Sequence, residues 1–491
     1  MNTEDYRNEV LRQLNNDTYY EKCTDDPTDA VQRNISDCLE DLEKTNSHIH
    51  NEFDTFPADI RTPCFYVLPK IHKSPDINLP IQYPGRPIVS ACNSPTENIS
   101  KYMDFVLKPH MINLPSYVKD TADFINKVKN MKIKSKNTYL VTLDVSSLYT
   151  NIPHNDGIDA CKYFLQQDNH NSKLSTEEIS HLLKLVLENN YFKFGDNYYL
   201  QRMGTAMGSS MAPTYASLFM DKFEHDFLQT RDIKPTLWLR FLDDVFMIWD
   251  HSLDELHSFI NEINSFHPNI KFTHTISNKS VSFLDVQVSK SDSLQIETDI
   301  YVKETSNHQY LDYTSCHPKM CKDGIPYSQA KRYRRIISDD DSFNSSLHEL
   351  RDFFLDRNYH KSVIDAAFEK VSHMTQSDAL NSSTRDKKNV LPFTVLREFF
   401  VDRGYPNDVL DRAFQKVVNI SQQEALQTQV GDKHSVIPFT IVYESALPRI
   451  GNTINKYWNI LNLSKSFTTK SVYETCKPVV AYKRPKNLQI I

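Results

Sequence analysis

The sequence predicts an α+β fold, and two local patterns carry that prediction. Three apolar, β-prone runs, TYLVTLD (138–144), WLRFL (238–242) and VFMIW (245–249), have the length and composition of buried strands. Helix signatures stand among them. Ser175 with Glu178 and Ser252 with Glu255 form capping-box patterns, and Ile179, Leu182, Leu183, Val186 and Leu187 follow the first at helical spacing.

The remaining elements follow in chain order. Residues 1–60 read as an acidic lead-in, polar helix or only partly ordered. From Pro63 to Pro115 the chain is proline-rich, which reads as extended segments and turns, because proline fixes φ and donates no ladder hydrogen bond. Tyr191–Phe194, Gly195-Asp196-Asn197 and Tyr198–Leu200 make a hairpin signal. After Gly204 and Gly208, residues 214–228 read as a helix, and further strands run through Tyr301. Beyond residue 340 the chain repeats itself. LRDFFLDRNYHKSVIDAAFEKV (350–371) matches LREFFVDRGYPNDVLDRAFQKV (396–417) at an offset of 46 residues, and VLPFT (390–394) matches VIPFT (436–440) at the same offset. Each copy reads as two short helices joined at Arg-Asn/Gly-Tyr. Two copies are too few for a solenoid, so a local duplication is expected.

Composition bounds the class. The chain has 491 residues, 39% of them hydrophobic, and a formal charge of −7. It is long enough for roughly two to four domains. No apolar run approaches the roughly 18 residues of a membrane span, and the N-terminus has no apolar core for a signal peptide. The expectation is a soluble intracellular protein. Eight scattered cysteines without a CxxC pair argue against a disulfide framework or a zinc knuckle, and Cys316, His317 and Cys321 read as a loop coincidence. The charge is uneven. Residues 1–60 hold 15 acids and five bases, so the other 431 residues carry about +3. Residues 61–140 hold 12 bases and five acids, residues 303–335 seven and three, and the last 15 residues four bases and no acid. Segregated basic stretches with interleaved aromatics suit a phosphate backbone, and the small total predicts a modest salt slope.

Three carboxylates stand out by context: Asp144 at the end of one predicted strand, and the pair Asp243 and Asp244 between two others. Acids at such junctions are costly to bury. If the strands lie side by side, Asp144 and Asp243 converge on a pair of Mg²⁺ ions, hard cations held by carboxylates plus substrate phosphates. Two such ions about 4 Å apart would stabilise the attacking and leaving oxygens of a phosphoryl transfer.

The order LVTLDVSSLYTNIP (141–153), QRMGTAMGSSMAPTYASLFM (201–220), WLRFLDDVFMIW (238–249) and SFLDVQVS (282–289) resembles motifs A, B, C and E of the reverse transcriptases. FYVLPKIHK (65–73), GRPIVS (85–90) and the segment 298–335 narrow the resemblance to the Penelope-like element reverse transcriptases. It runs from about residue 60 to the end. The fold it implies is a right-hand polymerase: fingers at 61–137, a palm with an antiparallel sheet at 138–300 and a thumb entry at 301–345. The duplicated helical module (346–440) and a basic C-terminal extension (441–491) follow.

The resemblance also implies roles. Asp144 and Asp243 are the metal-binding, catalytic aspartates, Asp244 supports them, and the cofactor is Mg²⁺, with Mn²⁺ as a substitute. Tyr149 is the bulky gate against a ribose 2′-OH, with a core aromatic as its alternative. Met207 and Gly208 lie against template and incoming base, and Arg86, with Lys70 and Lys73, cradles the triphosphate. For the two lysines a general backbone contact is as good a reading. Phe283, Leu284 and Asp285 form the primer grip or, alternatively, a structural β-turn, and Lys271 is the general acid for pyrophosphate. The partners are an RNA template, a DNA primer and dNTPs, with no membrane, and the location is nuclear. In this family, segments like 478–488 lead into a GIY-YIG nuclease. The chain stops at Ile491 without one, so self-contained target nicking is not expected. The expected activity is RNA-directed DNA polymerisation. Its rivals are a polymerase using ribonucleotides and a catalytically idle RNA-binding remnant of a truncated element copy.

Overall fold

The computed structural model describes residues 2–45, 53–57, 59–71, 76, 78–81, 83–167, 172–303, 305–381, 436–442 and 477–483. Lys73 lies outside the described residues, as do residues 382–435 of the duplicated module and most of 441–491.

The chain opens with α1 (Thr3–Leu14), β1 (Tyr20–Cys23), α2 (Thr28–Thr45), β2 (Cys64–Pro69), β3 (Gly85–Ser90), α3 (Glu97–Ile112) and α4 (Thr121–Val128). It continues through β4 (Tyr139–Val145), α5 (Leu148–Asn151), α6 (His154–Gln167), α7 (Thr176–Glu188), β5 (Tyr191–Phe194), β6 (Asn197–Gln201) and α8 (Ala212–Gln229). Then come β7 (Leu237–Phe241), β8 (Asp244–Trp249), α9 (Leu253–Phe266), β9 (Phe272–Ser277), β10 (Ser280–Phe283), β11 (Val286–Lys290) and β12 (Ile296–Ile300). Helices α10 (Lys319–Ile336), α11 (Asp340–Leu355), α12 (Lys361–Ser372) and α13 (Gln376–Asn381) complete the first unit, which ends at Ser383. Within the second unit, β13 (Val436–Val442) pairs in parallel with β14 (Lys477–Lys483).

The palm sheet has the order β7-β8-β4-β9, antiparallel throughout. Strand alternation divides its residues between two faces. Val141, Leu143 and Val145 of β4, with Val245, Met247 and Trp249 of β8, pack on one face into a core shared with α3 and α6–α9. Leu140, Phe246 and Ile248 turn the other way, onto α4 and the sheet β10-β11-β12. That cover stops short of the end of β4, so Asp144 remains half-buried at an open cleft. Both predicted capping boxes are present, at the starts of α7 and α9, where they satisfy the free N–H groups of each first turn.

Three expectations are corrected. The acidic lead-in is helical in α1 and α2, as one of its two readings had it, but it is integral to the fold: α1 buries Val10 and Leu14, and β1 pairs with β6 in the sheet β1-β6-β5-β2-β3. The hairpin β5–β6, expected within the palm, therefore belongs to the same sheet as β2 and β3. The proline-rich stretch is extended only at β2 and β3. Its second half is the helix α3, which tolerates Pro109 in its last turn. Finally, VIPFT at 436–440 is strand, part of β13, where a helical module was expected.

The first repeat copy does form two helices. α11 and α12 meet at Arg357-Asn358-Tyr359, with Asn358 left-handed (φ 62°), and bury Phe343, Leu350, Phe354, Ile364 and Phe368 around Tyr333 of α10.

Candidate active site in the palm cleft

Register fixes the acids. In the β4–β8 pairing Asp144 stands directly opposite Asp244, so their side chains share a face. Leu242 and Asp243 form the two-residue turn between β7 and β8, where Phe241 pairs with Asp244. Leu242 adopts φ 55°, and the Asp243 carbonyl accepts a 2.9 Å bond from the Val145 amide. A left-handed residue suits a tight hairpin turn but is strained for leucine, so its surroundings must hold it. All three acids line a polar cleft of about 570 Å³ together with Lys70 and Arg86.

Electrostatics support the convergence. The pKa of Asp243 is raised from its ordinary value chiefly by burial; its own backbone N–H opposes this, the Asp144 charge adds to it, and Arg86 and Lys70 pull it back down. Two acids that repel in a half-dry cleft are what a cation relieves. Among the described residues no three His, Cys, Asp or Glu side chains close a metal cage on their own. Asp144 and Asp243 offer hard carboxylate oxygens, the ligand type that Mg²⁺ accepts together with substrate oxygens and water.

The loop before α8 joins both sides of the site. Thr205 N–H donates to Tyr149 O (2.7 Å) and Gly204 N–H to Ile152 O (3.0 Å), while Val89 N–H on β3 donates to Met207 O (3.0 Å). Met207 and Gly208 thus meet β3, and Gly208 lines a smaller cavity that has no lining residue in common with the cleft. Tyr149 is mostly buried, and burial together with the Asp243 charge pushes its phenol up to about 12, so it stays protonated at any working pH.

Of the predicted primer grip, Phe283 is 3% exposed and packs its ring 4.6 Å from Phe124. Leu284 (φ 56°) forms the β10–β11 turn at the cleft. Asp285 accepts from Thr121 Oγ1 and from Arg332 Nη2 at 2.6 Å, tying the turn to α4 and α10. Lys271 is a correction. Its Nζ donates to Asn264 O (2.5 Å) and His267 O (2.9 Å), capping the last turn of α9 instead of entering the cleft.

Sequence reasoning missed Lys303, which lines the cleft and an adjoining groove of about 450 Å³. Its signal was a cation just past a predicted strand. It also missed Arg240, whose signal was a charge inside the apolar run WLRFL. Arg240 is 1% exposed and its Nε pairs with Glu224 Oε1 at 2.6 Å.

Residues 81–311 match the family model for reverse transcriptase (RNA-dependent DNA polymerase), and residues 309–369 match that for the animal helix-turn-helix domain, across α10, α11 and most of α12. The telomerase reverse transcriptase of Oryza sativa subsp. japonica is 31% identical over 103 residues, 18% of this chain and 8% of that protein. The chain thus spans less than a tenth of that relative. Among solved structures, the telomerase of Candida albicans in complex with a telomeric RNA fragment aligns with TM-score 0.48 and 12% identity, over 73% of this chain and 59% of the other. The RNA-dependent RNA polymerase of a human picobirnavirus aligns with TM-score 0.43 and 9% identity, over 77% and 78%. Over residues 81–311 the chain is thus similar to the reverse transcriptases, and its α+β architecture with an antiparallel palm sheet is that of a right-hand polymerase.

Proposed function

We propose that the chain is an RNA-directed DNA polymerase of the Penelope-like kind, extending a DNA primer along an RNA template with dNTPs in the nucleus. The observation that carries the reading is the strand register that sets Asp144 opposite Asp244 and places Asp243 on the adjoining turn, in a cleft that Lys70 and Arg86 also line. Mg²⁺, when bound, supplies the positive charge that steadies the reacting oxygens. Asp144 and Asp243 would hold it, with Asp244 in support.

The protein's own part is positioning and charge. Arg86 offers a planar fork to phosphate oxygens, and Lys70 adds a second cation on the same side. Tyr149, a neutral phenol beside Asp243, would crowd a 2′-OH on the incoming sugar. Lys303 lies where the cleft meets the groove, placed to neutralise a strand leaving the site. Among the described residues no helix is long and apolar enough to cross a membrane.

Primer extension on an RNA template by the purified protein tests the reading. Wild-type protein should incorporate dNTPs in the presence of Mg²⁺, and Asp243→Asn should lose about 10²–10³-fold in rate, as expected when a preorganised charge is removed. Near-normal extension by that variant would sink the metal assignment. Salt-dependent RNA retention without dNTP incorporation by wild-type protein would establish an idle remnant instead.

A further inference from the structure

Arg240 lies on the face of β7 opposite the acids. Strand alternation turns Leu239 toward α4 and β10–β12, and Trp238 and Arg240 beneath the helices. There the guanidinium makes three separate contacts. Its Nε pairs with Glu224 Oε1 of α8 at 2.6 Å, its Nη2 donates to Ser217 O of α8 at 3.0 Å, and its Nη1 reaches the carbonyl of Leu242 at 3.3 Å. Ser116 Oγ donates to the second Glu224 oxygen at 2.8 Å. The backbone is clamped as well: Arg240 N–H donates to Ser116 O (2.6 Å), and Val118 N–H donates to Arg240 O (2.8 Å).

Stability alone does not explain this arrangement. Burying two charges costs desolvation that their attraction roughly offsets, and apolar residues of similar volume commonly serve as well. Apolar residues cannot, however, hold a carbonyl at the strained residue next to Asp243. Leu242 is left-handed at φ 55°, a conformation that persists only where neighbours over-determine it.

We propose that Arg240 is a positioning residue for the reaction: through the Leu242 carbonyl it fixes the turn that carries Asp243, and through Glu224 and Ser217 it ties that turn to α8. This rests on the polymerase reading, because it gives the place of the Asp243 carboxylate its importance. Since α8 begins directly after the Gly208 loop, the same tether links the acids to the loop that meets β3.

The experiment uses Arg240→Lys and the double variant Arg240→Met with Glu224→Met, with thermal unfolding as the control for folding. Lysine keeps a cation opposite Glu224 but cannot reach all three partners at once. The double variant replaces the pair with apolar volume, so it keeps the fold decidable if the lysine variant unfolds. Mn²⁺ binding to nucleotide-free protein, followed by electron paramagnetic resonance, should weaken by about 10–100-fold in both variants, the scale seen when groups that orient metal ligands are removed. The kcat for primer extension should fall by a similar factor, while KM for dNTP stays within about twofold. A merely structural role would move unfolding and leave Mn²⁺ affinity alone. Folded variants that bind Mn²⁺ and turn over as wild type does overturn the proposal while leaving the polymerase reading intact. Wild-type protein that binds no Mn²⁺, or binds it equally after Asp144→Asn, overturns both.

Discussion

The position of the Cβ that Gly208 lacks falls 2.0 Å from the carbonyl oxygen of Val89. No side chain fits there, and at φ 137° Gly208 also holds a backbone conformation that L residues rarely adopt. The contact that would clash is main chain on β3, which its sheet cannot yield cheaply. The loop before α8 and the strand carrying Arg86 are therefore locked together by an absence of side-chain volume.

Gly208→Ala should break that contact. We expect extension to fall at least tenfold and the unfolding midpoint to drop by a few degrees, given a strain of about 1–3 kcal/mol and about 2–4 °C per kcal/mol for a domain of this size. Steady-state extension together with a thermal melt checks it. An unchanged melt would show that the loop and β3 separate freely.

Tyr149→Ala should relax sugar choice. The Tyr149 backbone is anchored by the Thr205 N–H on its carbonyl, its phenol is close enough to feel the Asp243 charge, and that phenol does not ionise at neutral pH. Removing it should raise rNTP incorporation relative to dNTP by about 10–100-fold, the scale of discrimination that pocket shape provides. Competition assays with both nucleotides decide the matter. Unchanged sugar preference would favour an enzyme that uses ribonucleotides.

Asp221, one turn before Glu224 on α8, is pushed up to about 6, chiefly by burial and then by the Glu224 charge, with Arg240 opposing. The unfolded value is lower, so between the two values the folded state holds more protons than the unfolded state. Stability is therefore lost as pH rises from about 4 to about 6, and the penalty is complete above that. Each unit is worth about 1.4 kcal/mol, and partial exposure brings the total to roughly 1–2 kcal/mol. Asp221→Asn should melt higher than wild type at pH 7.5, with the gain vanishing near pH 4. A pH-independent difference would contradict this.

Lys271→Ala tests the corrected assignment. Loss of the two carbonyl contacts at the end of α9 should cost about 0.3–1 kcal/mol of stability. The pH dependence of kcat should not move. A kcat loss with a shifted basic limb would return Lys271 to the general-acid role.

Much of the site was legible locally. Asp144 and the pair Asp243-Asp244 stood out because each adjoins an apolar, β-prone run, where a buried acid is costly, but the face that Asp144 and Asp244 share was set by the β4–β8 register. The capping boxes at Ser175 and Ser252 were equally legible, since each side chain bonds its own first turn. Lys271 was misread because a cation's distance along the chain says nothing of which carbonyls its flexible stem will reach.

By itself the sequence determined the strands, the caps, the acidic turn and the order of motifs, because hydrophobic period and hydrogen bonds within one turn are properties of neighbours. Only the tertiary structure decided that β1, from the acidic lead-in, completes a sheet with β2, β3, β5 and β6, and that Arg240 turns away from the cleft to pair with Glu224. It also decided that Asp285 bonds Arg332, 47 residues away. These contacts depend on which segments the folded core brings back together, and no local pattern encodes the return of the chain.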